Sequence, residues 1–248
     1  MLGISIQPIT GESFMSKKSL FIIIITFGLL FINGYAQYDV DDRLKLEITP
    51  YVWMTSMNGD LTINGEKRPL NFTFEDFFKF SNLGLNGHVE LKKRRWAIIF
   101  DYNYVDLLKE NTYTELVLSE LAFGWHLTKR LEILVGGRYF KSQLEYRDDP
   151  DNINRGKQSW TDPVIGGRMS WELTKRLVFT MRGDIGGFGL GSEFEWNLMA
   201  GLGYRLSNIT FLGAYRIWYA KYENGSGDDL FVYDITTSGP GVAMVIHF

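Results

Sequence analysis

Seven charged residues stand in the middle of segments that alternate polar and apolar side chains: Arg138, Arg168, Arg182 and Arg216, with Asp101, Glu120 and Asp184. Each lies on the polar face of its segment. Counted from the nearest tight turn, they fall at similar positions. Two kinds of chemistry fit such a set. With water between the groups, the arginines form a ring that selects anions. With the groups in contact, they form ion pairs that fill space and hold strands together. Gly136, Gly166, Gly186 and Gly201 share the arginines' parity, which leaves room for long guanidinium stems. Four arginines against three acids is close to balance, so pairing is the expected arrangement.

Catalysis finds little support. The chain has three histidines and no cysteine. Hydrolytic chemistry on a strand-built scaffold places a base, often His, at an open rim. His88 lies on an inward face below mid-height, His126 beside a tight turn, and His247 is the penultimate residue. Asp148, Asp149 and Asp151, or Asp228 and Asp229, are carboxylates in loops, where solvation or a divalent cation accounts for them. The glycine-rich run 183–191 lacks the Lys of a phosphate loop and the helix that should follow it. It reads as a tight loop whose glycines take unusual backbone angles. Zero Cys removes disulfides, Cys-ligated metals and a lipidated Cys. No catalytic residue, metal or cofactor is expected. A net charge of −3 gives no reason to expect a nucleic-acid partner.

The elements that must position these groups begin after a leader. From Met15, Lys17 and Lys18 precede an apolar run, Leu20 to Ile32, of signal-peptide length and short for a membrane span. Gly34 and Ala36 put small residues before a cleavage point at Gln37, and residues 1–14 read as an upstream extension. The expected division is a signal peptide over 1–36 and one domain over 37–248. Removing 1–36 takes Glu12, Lys17 and Lys18, which leaves −4.

Beyond Gln37 the period is two, the signature of strands. Ten are expected near 43–55, 82–92, 95–106, 113–127, 131–142, 160–173, 177–187, 193–206, 209–220 and 239–248. Four connections are tight: Lys92–Arg95, Leu127–Arg130, Leu173–Arg176 and Leu206–Asn208. Five are mostly longer, near 56–81, 107–112, 143–159, 188–192 and 221–238. The two kinds alternate, as in a transmembrane barrel with short periplasmic turns and longer outer loops. In the first loop Phe74, Phe77 and Phe78 have helical spacing. A short amphipathic helix capping the mouth or lying at the outer interface, and a small core of the loop itself, both fit.

Aromatic order decides which face meets lipid. Trp96, Trp125, Trp171 and Tyr204 lie beside tight turns on the apolar face, a girdle for one membrane interface. Tyr104, Tyr113, Tyr139, Phe194 and Tyr219 stand on that face toward the other rim. The arginine belt then faces away from lipid. Val242, Met244, Ile246 and Phe248 alternate to the chain end, and a terminal Phe resembles the signal read by the outer-membrane barrel-assembly machinery. The expected partners are that machinery, outer-membrane lipid and lipopolysaccharide; the oligomeric state is left open.

Trp160-Thr-Asp162-Pro163-Val-Ile-Gly166-Gly-Arg168, Gly183 to Ser192 and Gly203-Tyr204-Arg205 resemble motifs of a family of Gram-negative outer-membrane β-barrel proteins. The resemblance runs from about Ile48 to Phe248. It implies the fold and the compartment, and it carries no activity. The expected fold is all-β: a single antiparallel up-and-down transmembrane β-barrel of ten strands, or eight if the first and last are too generous. The leading function is a non-enzymatic envelope or surface-contact protein with a side-chain-filled lumen. A narrow channel for small solutes comes next, and a rim-located lipid- or peptide-modifying enzyme last.

Overall fold

The computed structural model describes residues 42–109, 112–149 and 152–248. The leader expected over 1–36, its cleavage point and Asp151 lie outside these residues. Among the described residues there are twelve strands: β1 (Lys45–Trp53), β2 (Ser56–Ile63), β3 (Glu66–Phe72), β4 (Ser81–Lys93), β5 (Trp96–Lys109), β6 (Thr112–His126), β7 (Leu131–Asp149), β8 (Asn152–Glu172), β9 (Leu177–Gly186), β10 (Phe194–Leu206), β11 (Ile209–Asn224) and β12 (Phe231–His247). A seven-residue helix, α1 (Phe74–Phe80), joins β3 to β4. No helix among the described residues is long and apolar enough to cross a membrane.

Ten strands form the barrel. β1 pairs with β4, then β4 to β12 pair in chain order, every pair antiparallel. Closure comes from β12 returning to β1, from Glu47↔His247 to Trp53↔Gly241. The strand number is ten, not eight. At one rim the turns are tight. In the two Leu-Thr-Lys-Arg turns the Thr hydroxyl accepts two backbone N–H groups: Arg130 and Leu131 donate to Thr128 at 3.1 and 3.0 Å, and Arg176 and Leu177 donate to Thr174 at 3.2 and 3.0 Å. The same local chemistry therefore closes two hairpins.

The other rim departs from expectation. The spans 143–159 and 221–238, read as loops, are mostly strand: β7 runs to Asp149, β8 starts at Asn152, and β12 starts at Phe231. The first loop holds the β2–β3 hairpin, which continues the wall beside β12 from Ser56↔Ser238 to Thr62↔Val232. Its turn is Asn64-Gly65, with φ of 54° and 77°. Asn-Gly with two positive φ angles is the strongest short hairpin signal. α1 follows, capped reciprocally: Thr73 N donates to the Asp76 carboxylate at 2.8 Å and Asp76 N donates to the Thr73 hydroxyl at 3.3 Å. Phe77 is buried in the barrel's apolar core, while Phe74 is exposed.

The outer surface explains the strand lengths. Between the tight-turn rim and the level of Tyr139 the outward residues are apolar, among them Ile98, Phe100, Leu121, Phe123, Ile133, Val135, Leu198 and Leu202, all exposed. Tyr204 to Phe194 on β10 bound this belt, ten residues apart, or about 25 Å along the barrel axis for a strand tilted by roughly 40°. So large a continuous apolar surface needs a lipid solvent. Beyond Tyr139 the pattern keeps its period and changes sign. Phe140 and Leu144 turn inward and are buried, while Lys141, Gln143 and Glu145 face out. A strand that leaves lipid for water must bury its apolar residues inside instead.

Candidate functional site: the lumen charge network

All seven residues of the expected belt face the lumen, and the structure joins most of them in one network. Arg138, 1% exposed, is its hub. Its Nη2 donates to Glu120 Oε2 at 2.6 Å and to Asp184 Oδ1 at 2.7 Å, and its Nη1 donates to Glu195 Oε1 at 3.1 Å. Arg182 makes the second pairing, Nε to Asp184 Oδ2 at 3.0 Å and Nη2 to Glu120 Oε1 at 2.5 Å. Asn197 donates to Asp184 at 2.9 Å and accepts from Arg216 Nε at 2.8 Å. Arg216 also stacks on the Trp53 ring, 4.7 Å from its centroid. Asp101 accepts from Tyr51 and Asn103 at 2.9 and 2.7 Å and lies 3.1 Å from His88 Nδ1.

Arg168 stands apart. It binds Glu90 through Nη1 and Nη2 at 2.8 and 2.5 Å, and Glu132 through Nε at 2.8 Å. The cause is strand tilt. One row of paired residues runs His126, Glu132, Arg168, Arg182, Met199 and Arg216 across β6 to β11. In a tilted barrel such a row climbs away from the rim, and Arg168, five residues from Leu173, sits lower than Arg138, eight residues from Arg130, and meets other acids. Arg168 and Arg182 are direct cross-strand partners. Their like charges are separated onto different acids: Glu90 and Glu132 for the first, Glu120 and Asp184 for the second.

Glu90, Glu132 and Glu195, each 1–2% exposed, are network members outside the expected belt of seven. Their inward parity was the available signal. The glycines serve another purpose than expected. A Cβ at Gly166 would collide with Asp184, and one at Gly186 would lie 2.7 Å from Glu195 Oε1 and Val164 Cγ1. They let neighbouring strands and acids approach closely.

Toward the outer rim, the lumen is packed with aromatic rings. Phe140 has its centroid 4.6 Å from Trp160, 5.0 Å from Trp218 and 5.1 Å from Tyr233. Trp160 stacks on Tyr222 at 4.1 Å. Met57, Leu61, Phe72 and Phe77 complete this core from the hairpin and α1. Toward the tight turns the lumen is open, with a cavity of about 400 Å³. Lys92, Glu47 and His247 stand at its mouth, with Lys92 2.7 Å and His247 Nδ1 3.1 Å from Glu47.

The remaining expected residues are placed as follows. Trp96, Trp125, Trp171 and Tyr204 all point outward beside tight turns. Phe248 is exposed at the same rim, its N–H donating to the Leu46 carbonyl at 2.9 Å. His126 lies near the Arg95 carbonyl, and no histidine reaches the outer rim. Asp228 and Asp229 form a single 3-10 turn between β11 and β12. The glycine-rich run leads straight into β10 through a loop over 187–193. Asp162 holds that loop, accepting from Ser192 N at 2.6 Å and Ser192 Oγ at 2.7 Å, while Trp160 Nε1 donates to the same carboxylate at 3.0 Å.

No protein-family model matches the chain, and no characterised protein matches it by sequence. Among solved structures it is similar to the outer membrane protease OmpT of Escherichia coli, with a TM-score of 0.54 at 8% identity, covering 87% of this chain and 100% of that one. Neisserial surface protein A gives a TM-score of 0.34 at 9% identity over 83% and 97% of the two chains. Ail of Yersinia pestis gives 0.35 at 9% over 84% and 100%. The closed ten-strand barrel, its apolar belt and the OmpT-like fold are those of a Gram-negative outer-membrane β-barrel.

Proposed function

We propose that the chain is a closed, non-enzymatic outer-membrane barrel that contributes to envelope structure and surface contact. One observation carries this reading: Arg138, fully buried among Glu120, Asp184 and Glu195, lies directly beneath the Phe140–Trp160–Trp218–Tyr233 block. A solute crossing the lumen would have to break both layers. The strand extensions of β7, β8, β11 and β12 and the β2–β3 hairpin then form a rigid surface above the lipid. Lys141 and Glu115, 2.6 Å apart just past the belt, would face the head groups of lipopolysaccharide.

The test is to refold residues 37–248 into lipid, verify folding by heat-dependent gel mobility, and record single-channel currents in a planar bilayer. A folded, silent barrel supports the proposal. Discrete steps of reproducible size would replace it with a narrow channel whose filter is the arginine belt.

A further inference from the structure

The cavity below the belt has a composition that a plain scaffold does not need. Its roof is the charge network, and among the described residues it opens toward the tight turns, where Glu47, Lys92 and His247 line it. That side is periplasmic in barrels of this kind. One wall is apolar: Val178, Met199, Leu212, Ala214 and Val245, contributed by β9 to β12. At the top of this wall stand Arg182 and Arg216, the cross-strand partners of Met199 on either side.

The polar groups of the pocket are unevenly satisfied. Both oxygens of Asp101 are engaged, by Tyr51 and Asn103 on one and His88 on the other. Glu47 is engaged by Lys92 and His247. Glu120 and Asp184 are buried behind the guanidinium of Arg182, with side chains 4% and 1% exposed against 12% for Arg182. The spare hydrogen-bonding capacity is therefore cationic. Arg182 Nη1 has no hydrogen bond among the described residues. Arg216 uses only Nε, and its Nη1 stands 3.9 Å from Asp101, beyond hydrogen-bond reach. Guanidinium groups with open N–H donors, 12% and 15% exposed in a recess of the lumen, are suited to an oxyanion. A volume of about 400 Å³ is that of a small-molecule site.

We infer that this cavity is a periplasm-facing binding site for a small organic anion with an apolar body, its oxyanion held by Arg182 and Arg216 and its body lying on the wall formed by Met199, Leu212, Ala214 and Val245. This goes beyond the closed-scaffold reading and rests on it, because belt residues form the roof of the pocket; the current recording tests that reading separately from ligand binding.

The probe is 4-fluorobenzoate, titrated against the mature barrel in lipid nanodiscs and followed by fluorine NMR. Its charge-reversed counterpart is 4-fluorobenzylammonium. The benzoate is expected to bind saturably and the ammonium not to bind. Arg216→Met, which loses the Asn197 bond, the contact with Asp101 and the charge over the Trp53 ring, is expected to weaken benzoate binding at least tenfold. Because any arginine substitution disturbs the network, Ala214→Leu provides a second variant. It fills the pocket from the apolar wall, leaves every charge in place, and is expected to weaken binding at least tenfold. Empty nanodiscs give the background from lipid. Absence of saturable binding would overturn the inference, as would equal binding by both variants or preference for the ammonium. Inorganic phosphate competing as well as benzoate would remove the apolar body from the assignment.

Discussion

Arg138 and Phe140 stand two residues apart on the inner face of β7, and the interior changes chemistry between them. Below is the ion network; above is the aromatic block. Trp218 and Glu195 link the two, since the indole Nε1 donates to Glu195 Oε2 at 2.9 Å while Arg138 occupies Oε1. On the outside of the same strand Tyr139 ends the lipid belt and Lys141 begins the solvated rim. Both faces thus switch at one height, set by where lipid gives way to water.

The hub position of Arg138 makes its removal costly. Arg138→Met leaves Glu120, Asp184 and Glu195 buried with fewer cations, and breaking a buried pair in this way costs about 3–5 kcal/mol. Urea titration of the barrel in vesicles should show that loss. Lys141→Met, at the partly exposed rim, should cost no more than about 1 kcal/mol. Equal small effects at both positions would mean that water already reaches the network.

Trp218 tests whether two barriers act in series. Trp218→Ala should destabilise by about 3–5 kcal/mol through lost packing, yet remain silent in a planar bilayer because the Arg138 network persists. The double variant Trp218→Ala with Arg138→Ala should conduct. Current through the Trp218 variant alone would show that the ion network is no barrier.

The legibility of this molecule in its sequence follows from the same switch. Within the belt, alternation placed ten strands and gave Trp96, Trp125, Trp171 and Tyr204 their outward parity. Above it, Phe140, Trp160, Trp218 and Tyr233 alternate just as regularly, with the apolar residue on the opposite face. Phe140, Trp160 and Trp218 still fall inside expected strands; the stretches beyond them, with Leu144, Tyr222 and Tyr233, read as loops when one polarity is carried along the whole strand. Asn64-Gly65 was a local hairpin signal that stood unread inside a supposed loop. The partners of Arg168 were not legible, because they depend on barrel tilt, a property of closure that no single strand encodes.

The lipid boundary can be mapped by charge. Leu121, fully outward in the middle of the belt, should cost about 2–4 kcal/mol on replacement by Arg. Gln143→Arg, on the same outward face beyond Tyr139, should change stability by less than about 0.5 kcal/mol. The measurement is again urea unfolding in vesicles. Similar costs at both positions would place the membrane edge higher than the aromatic residues indicate.

Asp162 controls the order of an outer loop. Its carboxylate accepts two groups of Ser192 and the Trp160 indole, all buried. The loop itself is strained: Gly187, Phe188 and Gly189 have φ of 86°, 54° and 74°, and only the first and third are glycine. Holding Phe188 there needs an external tie. Asp162→Ala strands buried donors at Ser192 and Trp160, at a cost of about 1–3 kcal/mol for each unsatisfied group. The loop can recover most of this by swinging into solvent, since Leu190 is already exposed and the barrel wall does not depend on it. The expected result is faster chymotrypsin cleavage at Phe188 on intact cells, with the barrel's heat-dependent mobility unchanged. Asp162→Asn keeps one acceptor oxygen and should fall between the two. Cleavage of the Ala variant no faster than that of the parent chain would mean that the backbone turn, rather than Asp162, holds the loop.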